Sequence, residues 1–282
     1  MEEKKIALLL NPRAGKGRPL KVGERIQELL GAKGISYTVY TETWPTNFEL
    51  FTDVWIVGGD GTINYFINHF DTKDVPLSLF KGGTGNDFAW TLYGDMNTEQ
   101  QVDHVLTAGV KKVDAGNCNG KFFLNGIGIG FDGEVLKGMN AIRLIGGHLG
   151  YYLVVLKQIF SFREFSFRIS AQKQLLYEKL LLCMINNSSR TGGGFHVSPK
   201  SSVNDGLLDL VIAKPLTVLE RLRYLPVIEK GKHLNKPFVQ HVTGEYFHVA
   251  CDKELPAQID GEYFSAQEFI VSIEKEKLLF RY

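Results

Sequence analysis

Residues 58–62, with the sequence Gly-Gly-Asp-Gly-Thr, combine three glycines, one carboxylate and one hydroxyl. An apolar run precedes them and apolar residues at helical spacing follow, so the sequence predicts a strand, a tight turn and a helix N-terminus. Glycines let backbone N–H groups approach phosphate oxygens, and the helix dipole favours negative charge there. Asp60 would repel a phosphate unless a cation lay between them, which points to a divalent metal. The same residues also fit a plain turn with Asp60 as helix cap.

Two further glycine-bearing loops follow apolar runs in the first third of the chain. The sequence Asn-Pro-Arg-Ala-Gly-Lys-Gly occupies residues 11–17 after a predicted strand, and Gly-Gly-Thr-Gly-Asn-Asp occupies residues 82–87 after another. Open α/β sheets bind ligands at the carboxyl ends of their strands. We therefore expect the three loops to converge on one ligand-binding edge.

A pair of carboxylates near the C-terminus offers acid–base chemistry. In Asp260-Gly261-Glu262, a carboxylate hydrogen-bonded to an alcohol can accept its proton, and a second carboxylate nearby can tune its pKa. Asp-Gly is equally a common hairpin signal. The residues alone leave both interpretations open.

Two nucleotide-binding fingerprints can be weighed against the sequence. Residues 128–133 match G-x-G-x-x-G, but no Asp or Glu occurs between residues 135 and 163 to hold a ribose, so this run is interpreted as backbone packing. The phosphate-binding pattern G-x-x-x-x-G-K-[ST] is absent, because Gly17 follows Lys16.

The pattern of predicted secondary structure changes near Asp114. Before it, predicted strands at 5–10, 36–41, 53–57 and 77–80 alternate with helices, as a parallel sheet requires. After it, strand-like runs dominate at 122–129, 165–171, 175–185, 207–213, 247–251 and 269–274, with helical patterns near 149–160 and 218–229. The second half therefore reads as a mostly antiparallel β domain.

Composition narrows the class of protein. The 282 residues carry a formal net charge of +1, which gives no case for a nucleic-acid partner or for strong attraction to anionic membranes. Cys118, Cys183 and Cys251 are scattered, which favours reduced, buried thiols over disulfides or a zinc site. Neither a signal-peptide core nor an apolar run of about 20 residues occurs. We expect a cytoplasmic protein.

The three loops, together with Val113-Asp114 and residues 125–132, 204–210 and 259–262, resemble the diacylglycerol kinase catalytic-domain family, particularly its soluble bacterial lipid kinases. The order and spacing carry the resemblance over nearly the whole chain. It implies an N-terminal parallel α/β nucleotide-binding domain of the NAD kinase and diacylglycerol kinase type over residues 1–113, to which residues 275–282 return. It also implies a C-terminal, mostly antiparallel β-sandwich domain for the lipid substrate over residues 114–274.

The resemblance implies an ATP-dependent lipid kinase that transfers the γ-phosphoryl group to the hydroxyl of a diacylglycerol-like lipid in the cleft between the domains, with Mg²⁺. It favours Asp260 as the base, supported by Glu262, and a structural cation at Ser202, Asp205 and Leu207. The residues matching the family's nucleotide and magnesium contacts are Asn11, Lys16, Thr41, Gly58, Gly59, Asp60, Gly61, Thr62, Ile63, Asn64, Thr84, Asp87 and Asp114.

Two other functions and several details stay open. NAD kinases share the Gly-Gly-Asp-Gly loop but lack the loops at 11–17 and 82–87, and a nucleotide-binding regulator without turnover would not need every expected carboxylate. Lys81 and Trp90 replace a proline and an arginine usual in the family, which leaves the adenine contacts open. The expected partners are ATP, a lipid alcohol and the membrane surface, with a homodimer left open. Apolar residues in the helix near 149–160 line a lipid pocket or form core: Leu149, Tyr152, Leu153 and Leu156.

Overall fold

The computed structural model describes residues 4–72, 74–141, 148–171 and 174–282. The chain forms two compact units. The first runs to Asp114 and includes Lys275–Tyr282, and the second is Ala115–Glu274.

The first unit has a parallel sheet flanked by helices. Its first and third strands are buried nearly throughout, as expected for strands covered on both faces. The strands are β1 (Lys5–Leu10), β2 (Ser36–Tyr40), β3 (Asp53–Gly58) and β4 (Leu77–Lys81), in the spatial order β2-β1-β3-β4. A 3₁₀ turn at Ala14–Gly17 precedes the helices α1 (Arg18–Ala32), α2 (Asp60–His69), α3 (Asp87–Tyr93) and α4 (Thr98–Thr107).

The last residues of the chain complete this first sheet. Phe280 pairs with Leu77 of β4 in parallel. Arg281 Nε donates to Asp53 Oδ1 at 2.6 Å, and the hydroxyl of Tyr93 donates to the carbonyl of Arg281 at 3.0 Å. Asp53 is almost fully buried, and Arg281 is the closer of its two cationic partners, since Lys4 Nζ lies 3.6 Å from Asp53 Oδ2.

The second unit is built mainly from antiparallel strands. Its strands are β6 (Lys121–Phe123), β7 (Gly126–Ile129), β8 (Phe165–Ala171), β9 (Gln174–Leu180), β10 (Leu182–Asn186), β11 (Leu208–Ala213), β12 (Val239–Gly244) and β13 (Tyr246–Ile259). The chain passes between the units within β5 (Val110–Cys118) and β14 (Glu262–Arg281). The order is β12-β11-β10-β7-β13-β14, with β8 beside β13 and β9 beside β8. The helices are α5 (Phe131–Ala141), α6 (His148–Ser161) and α7 (Val218–Glu229).

Alternation along the strands gives this antiparallel sheet two different faces. Ile185 of β10 belongs to the core formed with β8, β13 and β14, whereas Met184 faces the side that packs on α7. Val211 and Ala213 of β11 share the face of Met184. The three cysteines are buried free thiols, as the sequence predicts.

The predicted fold class is confirmed, with local differences in the elements. The run 122–129 is divided between β6 and β7, and at the break the backbone N–H groups of residues 124–126 donate to the side chain of Asp260. Helix α5 occupies a glycine-bearing stretch that the sequence analysis assigned only to packing. Within the described residues, no helix is long and apolar enough to cross a bilayer.

Candidate functional site

The three glycine loops of the first unit pack backbone against backbone. Gly82 donates its N–H to the carbonyl of Gly58 at 2.8 Å. A β-carbon at Gly83 would lie 2.4 Å from the Cα of Gly59, and one at Gly15 would lie 2.0 Å from the carbonyl oxygen of Gly82. Real β-carbons do not approach other atoms this closely. Glycine is therefore needed here for the loops to fit together, whatever ligand they hold.

A hydroxyl joins the first loop to the second. The side-chain amide of Asn11 donates to Thr62 Oγ1 at 2.9 Å, and the N–H of Gly59 donates to the same oxygen at 3.3 Å. Asn11 also donates its own N–H to the carbonyl of Val57. These contacts fix the start of α2, where several backbone N–H groups lack helical partners and can meet an anion.

Asp60 links the second loop to the third. Its two oxygens accept the backbone N–H groups of Asp87 at 3.1 Å and Phe88 at 3.0 Å, at the start of α3. The sequence is also compatible with Asp60 as a cap on α2, but its carboxylate instead caps α3, the helix after the next loop. Asn86, held at a left-handed φ of +55°, accepts the N–H of Gly83 at 2.7 Å and completes the turn.

The acidic residues predicted to contact the nucleotide and magnesium occupy different positions in the first unit. Asp87 is buried at the first position of α3, next to the backbone that Asp60 binds. Asp114 is also buried, and its Oδ1 accepts the N–H of Glu276 at 2.7 Å. Asp60 and Asp87 thus both adjoin the N-terminus of α3.

The other predicted nucleotide contacts differ in exposure. Lys16, Thr41 and Thr84 are exposed. Ile63 and Asn64 are buried within α2, so their contribution to ligand binding would come from the backbone. Gly61 is half-buried at the second position of α2.

Three residues around the third loop were not assigned a role from the sequence. Arg18 Nη1 donates to the carbonyl of Gly83 at 3.1 Å, which ties α1 to that loop. Lys81 and Trp90, which differ from the residues usual in the family, both bind the loop after α3. Lys81 donates to the carbonyl of Gly94, and Trp90 Nε1 donates to Asp95 Oδ1 at 3.0 Å. A basic residue at the first position of a predicted helix was the available signal for Arg18.

Asp260 in the second unit is both a hairpin residue and a buried acceptor. Ile259 pairs with Glu262 across a two-residue turn, where Asp260 and Gly261 have φ of +46° and +85°. Asp260 is only 5% exposed, and its oxygens accept three backbone N–H groups within 3.0 Å, those of Leu124, Asn125 and Gly126. Glu262 is exposed. The hairpin is therefore present, and the acid–base role of these two carboxylates stays a prediction.

Polar side chains support the loop that Asp260 holds. Ser188 Oγ donates to Asn125 Oδ1 at 2.8 Å, and the amide of Asn187 donates to the carbonyl of Leu124 at 3.0 Å. A buried network of this kind is rigid, because each missing bond would leave a desolvated polar group. Sequence reasoning missed it, since the partners lie more than 60 residues apart.

A second, half-buried carboxylate adjoins this turn. The amide of Gln258 accepts the N–H of Gly261 at 2.8 Å and donates to Asp132 Oδ2 at 2.7 Å. Burial raises the pKa of Asp132 to about 6, although the bond from Gln258 acts in the opposite direction. Asp132 belongs to the glycine run at residues 128–133. A β-carbon at Gly133 would lie 2.3 Å from the backbone of Pro256, in agreement with the packing interpretation of that run.

The predicted structural cation site lies in an Asx turn. Asp205 Oδ1 accepts the N–H of Leu207 at 3.0 Å, and the hydroxyl of Ser202 donates to Asn204 Oδ1 at 2.8 Å. No group of three His, Cys, Asp or Glu residues suited to a metal occurs in the part of the chain that the structure describes. One carboxylate with neighbouring carbonyls matches the oxygen chemistry of Mg²⁺, and this site stays a prediction.

Two family models match the chain in succession. Residues 5–118 match the diacylglycerol kinase catalytic domain, and residues 125–278 match the YegS C-terminal NAD kinase beta sandwich-like domain. The diacylglycerol kinase of Bacillus subtilis (strain 168) is 29% identical over 210 residues, covering 73% of this chain and 69% of that protein. The diacylglycerol kinase of Mycobacterium tuberculosis (strain ATCC 25618 / H37Rv) is 28% identical over 275 residues, covering 92% and 89%.

Solved structures show the same fold. A crystal structure of a diacylglycerol kinase from Bacillus anthracis str. Sterne superposes with a TM-score of 0.75 at 23% identity, covering 100% of this chain and 98% of that one. An NAD kinase from Archaeoglobus fulgidus, solved in complex with ATP, superposes with a TM-score of 0.57 at 13% identity, covering 99% and 93%. At these identities the likeness concerns the fold alone.

Proposed function

Because the chain belongs to the diacylglycerol kinase catalytic-domain family, we propose that it transfers the γ-phosphoryl group of ATP to the hydroxyl of a diacylglycerol-like lipid. The relatives named diacylglycerol kinase support a kinase that acts on a lipid. The fold shared with an NAD kinase solved with ATP supports ATP as the donor. The first unit would bind the nucleotide and the second the lipid.

The junction of the three glycine loops is the observation that carries this proposal. Phosphoryl transfer depends on positioning the phosphates and neutralising their charge. The start of α2, fixed by Asn11 and Thr62, offers backbone N–H groups to a phosphate, and Lys16 is an exposed cation on the neighbouring loop. The backbone contacts between Gly59 and Gly83 hold the loops in one arrangement before a ligand arrives.

Magnesium would supply the positive charge that the acidic residues require. Asp60 and Asp87 lie at the N-terminus of α3, and a carboxylate that accepts one or two N–H groups still has lone pairs to offer a metal or its water ligands. We propose that these two residues, with Asp114, organise Mg²⁺ and water beside the phosphates. Metal and nucleotide would then bind cooperatively.

Asp260 would accept the proton of the lipid hydroxyl. The backbone N–H groups of Leu124, Asn125 and Gly126 fix its carboxylate in one orientation, which a general base needs in order to meet a bound alcohol. Glu262, exposed beside the turn, would act electrostatically. The reaction would take place at the membrane surface or on lipid drawn from it.

The test is phosphorylation of a defined lipid. Purified protein should transfer labelled phosphate from ATP to dioleoylglycerol in mixed micelles, and a total lipid extract should identify any better acceptor. Activity should require Mg²⁺ and disappear with a chelator. NAD⁺ serves as the comparison acceptor: labelling of NAD⁺ without lipid would overturn the proposal, and so would the absence of transfer to every lipid in the extract.

A further inference from the structure

The turn that carries Asp260 has a second support besides the loop at residues 124–126. Gly261 donates its backbone N–H to Gln258 Oε1 at 2.8 Å. Asp260 itself has a φ of +46°, a region that few residues other than glycine adopt. Such a conformation persists when its surroundings hold it, so the bond between Gly261 and Gln258 contributes to the placement of Asp260.

The side-chain amide of Gln258 can face its partners in one orientation. It is buried, with 5% exposure. The backbone N–H of Gly261 can only donate, so the amide oxygen must face it, and the NH₂ group then faces Asp132 Oδ2 at 2.7 Å. If the amide turned over, two donors would face each other at Gly261. The bond to Gly261 therefore depends on Asp132 as an acceptor.

Backbone packing holds Asp132 beside this amide. Asp132 occupies the second position of α5, and the start of that helix is attached to β13, since Gly130 donates its N–H to the carbonyl of Pro256 at 2.8 Å. A β-carbon at Gly133 would lie 2.3 Å from the backbone of Pro256. The first turn of α5 thus lies directly on the strand that leads into the turn of Asp260.

The charge of Asp132 decides the strength of this link. A hydrogen bond to a carboxylate is roughly twice as strong as one between neutral groups. A protonated carboxyl also carries an O–H donor, which competes with the N–H of Gly261 for the oxygen of Gln258. Burial raises the pKa of Asp132 to about 6, and the bond from Gln258 acts in the opposite direction because it favours the charged form. The charge and the bond therefore stabilise each other.

A cavity that Asp132 lines is otherwise largely apolar. Helix α6 contributes Val155 and Ile159 to its wall. Among the α6 residues that the sequence suggested for a pocket or a core, Leu153 is exposed and Leu156 packs against the cluster of Val155 and Ile159. The side chains of the other two lie outside the described residues, namely Leu149 and Tyr152. Helix α6 therefore surrounds Asp132 with hydrocarbon, in keeping with its raised pKa.

Arg221 of α7 is a cation in the wall of the same cavity. It donates to three backbone carbonyls, those of residues 159, 162 and 216, each at 3.0 Å, and forms a salt bridge with Glu164. These bonds tie the end of α6 to the start of α7. The donors of Arg221 thus serve other partners than Asp132.

The elements packed on α5 are β7, β10, β13 and α6. Strand β7 has no titratable side chain, and Cys183 of β10 belongs to the core on the other side of the sheet. The segment of β13 beside Asp132 is followed by Asp260, whereas the other ionisable residues of that strand occur earlier, at 246–254. The two helices add half-buried Glu134, exposed Lys137 and Lys157, and His148, whose side chain lies outside the described residues.

We propose that Gln258 is a positioning residue for catalysis: it holds the turn that carries Asp260, and it does so fully only while Asp132 is ionised. The inference rests on the proposed function, in which Asp260 is the base. Neither Gln258 nor Asp132 has to touch the reacting atoms in this role, since the effect passes through the backbone of Gly261. In acid the reaction would then lose rate through misplacement of the base as well as through its protonation.

The link is tested first without nucleotide or lipid. In ¹⁵N-labelled protein, the amide proton signal of Gly261 should move upfield as the pH falls from 8 to 5, with the same midpoint as the carboxyl carbon of Asp132. Asp132→Asn keeps an oxygen for the Gln258 amide but cannot ionise, so the Gly261 signal should not move in this variant. A Gly261 signal that is constant in the parent, or that still moves in Asp132→Asn, would overturn the proposal.

Gln258→Met then tests catalysis. The substitution keeps the length of the side chain and removes both bonds, so kcat should fall by about tenfold to a hundredfold while KM for ATP stays parental. The pKa of Asp132 should rise further, because the bond that favours its charged form is lost. Parental kcat, or an unchanged pKa of Asp132, would overturn the role of Gln258.

Gln258→Glu is the conservative variant and should reverse the pH dependence. At low pH the new carboxyl can donate its O–H to Asp132 and accept the N–H of Gly261, which restores the parental pattern. At higher pH two carboxylates would face each other and repel. The ratio of its kcat to that of the parent should therefore fall by about tenfold between pH 5 and pH 8, and a constant ratio would overturn the proposal. This variant decides the question even if Gln258→Met does not fold.

Gln101→Met is the matched control in the first unit. Gln101 is 2% exposed and its amide donates to the carbonyl of Leu79 at 2.8 Å, so the substitution likewise removes a buried amide. It should lower the melting temperature while the Gly261 signal and the pH dependence of kcat stay parental. Equal changes of these two quantities in Gln101→Met and Gln258→Met would overturn the positioning role.

The two kinds of measurement separate this inference from the proposed function. A Gly261 signal coupled to Asp132 in a protein without kinase activity would reject the proposed function and leave the link to the turn in place. Lipid phosphorylation that requires Asp260 but is unaffected by Gln258→Met would reject the positioning role alone.

Discussion

The carboxylate of Asp260 accepts the backbone N–H of Asn125 at 2.9 Å, although 135 residues separate them in the chain. The same carboxylate also binds the N–H groups of Leu124 and Gly126. The predicted base therefore has a structural task, and a substitution there will change stability as well as chemistry.

Asp260→Asn should lower kcat by about a hundredfold or more, because an amide cannot accept the proton of the alcohol. It should also lower the melting temperature, since its NH₂ group faces one of the backbone donors that Asp260 binds. Ser188→Ala is the control, because it removes another support of Asn125 and leaves the carboxylate intact. Equal losses of kcat in the two variants would make Asp260 a loop anchor. Glu262→Gln should cost less than Asp260→Asn, and the reverse order would exchange their roles.

Asp60→Ala should abolish Mg²⁺-dependent transfer and reduce stability by about 1–2 kcal/mol, the usual cost of a lost helix cap. Asn97→Ala removes a comparable cap from α4, where Asn97 Oδ1 accepts the N–H of Gln100 at 2.9 Å. Urea unfolding and initial rates should show similar stability losses but parental activity only for Asn97→Ala. If the loss of activity matches the loss of stability equally in both variants, Asp60 acts only as a helix cap.

Gly83→Ala tests the backbone contact between loops. The added methyl would meet the Cα of Gly59, and the forced separation should cost about 1–3 kcal/mol and weaken ATP binding. Gly31→Ala, in α1 with open space around the new methyl, should instead stabilise the protein by about 0.5–1 kcal/mol. Calorimetric melting of the two variants checks the contrast, and a neutral Gly83→Ala would contradict the close packing.

Asp132→Asn should change the pH dependence of stability. The pKa of Asp132 rises from an ordinary 3.8 to about 6, so between these values the folded state holds a proton that the unfolded state releases. Parental stability therefore falls as pH rises through this window, and the neutral variant should avoid the loss. Urea unfolding should find the variant more stable at pH 7 by on the order of 2 kcal/mol, with little difference below pH 4. Asp252→Asn, at an exposed position, should differ little from the parent at either pH.

Two variants of Asp205 test whether a cation binds at this turn. Asp205→Asn keeps an oxygen for the N–H of Leu207 but loses the charge, whereas Asp205→Ala loses both. If a cation binds there, added Mg²⁺ should raise the melting temperature of the parent more than that of either variant, by mass action. Without metal, Asp205→Ala alone should melt lower. Identical responses to Mg²⁺ in all three proteins would leave Asp205 as a turn residue.

Local pattern sufficed to predict most of the elements and the position of the loops. The run before Gly58 is apolar, the loop is rich in glycine and the spacing afterwards is helical, and all three signals lie within a few residues. Helix α7 likewise begins and ends where its pattern predicted.

The contacts that these residues make between loops could not be predicted from the sequence. That Gly83 contacts Gly59, or that Asp60 caps α3, depends on how separate loops meet in space. Asp132 lies in the run 125–132 that carries the resemblance, but no role was predicted for its side chain. The available signal was an acidic residue at the second position of a helix that follows a glycine run.

Arg281 of the returning C-terminal segment neutralises Asp53 beside the central strand β3. During synthesis on the ribosome, the first unit can complete its sheet only after residues 275–282 have been made, although its other strands emerge early. The second unit, whose residues are continuous, can fold in the meantime. A chain that stopped before residue 275 would leave the first sheet without its returning segment, and buried Asp53 would keep Lys4 but lose its closer partner, Arg281.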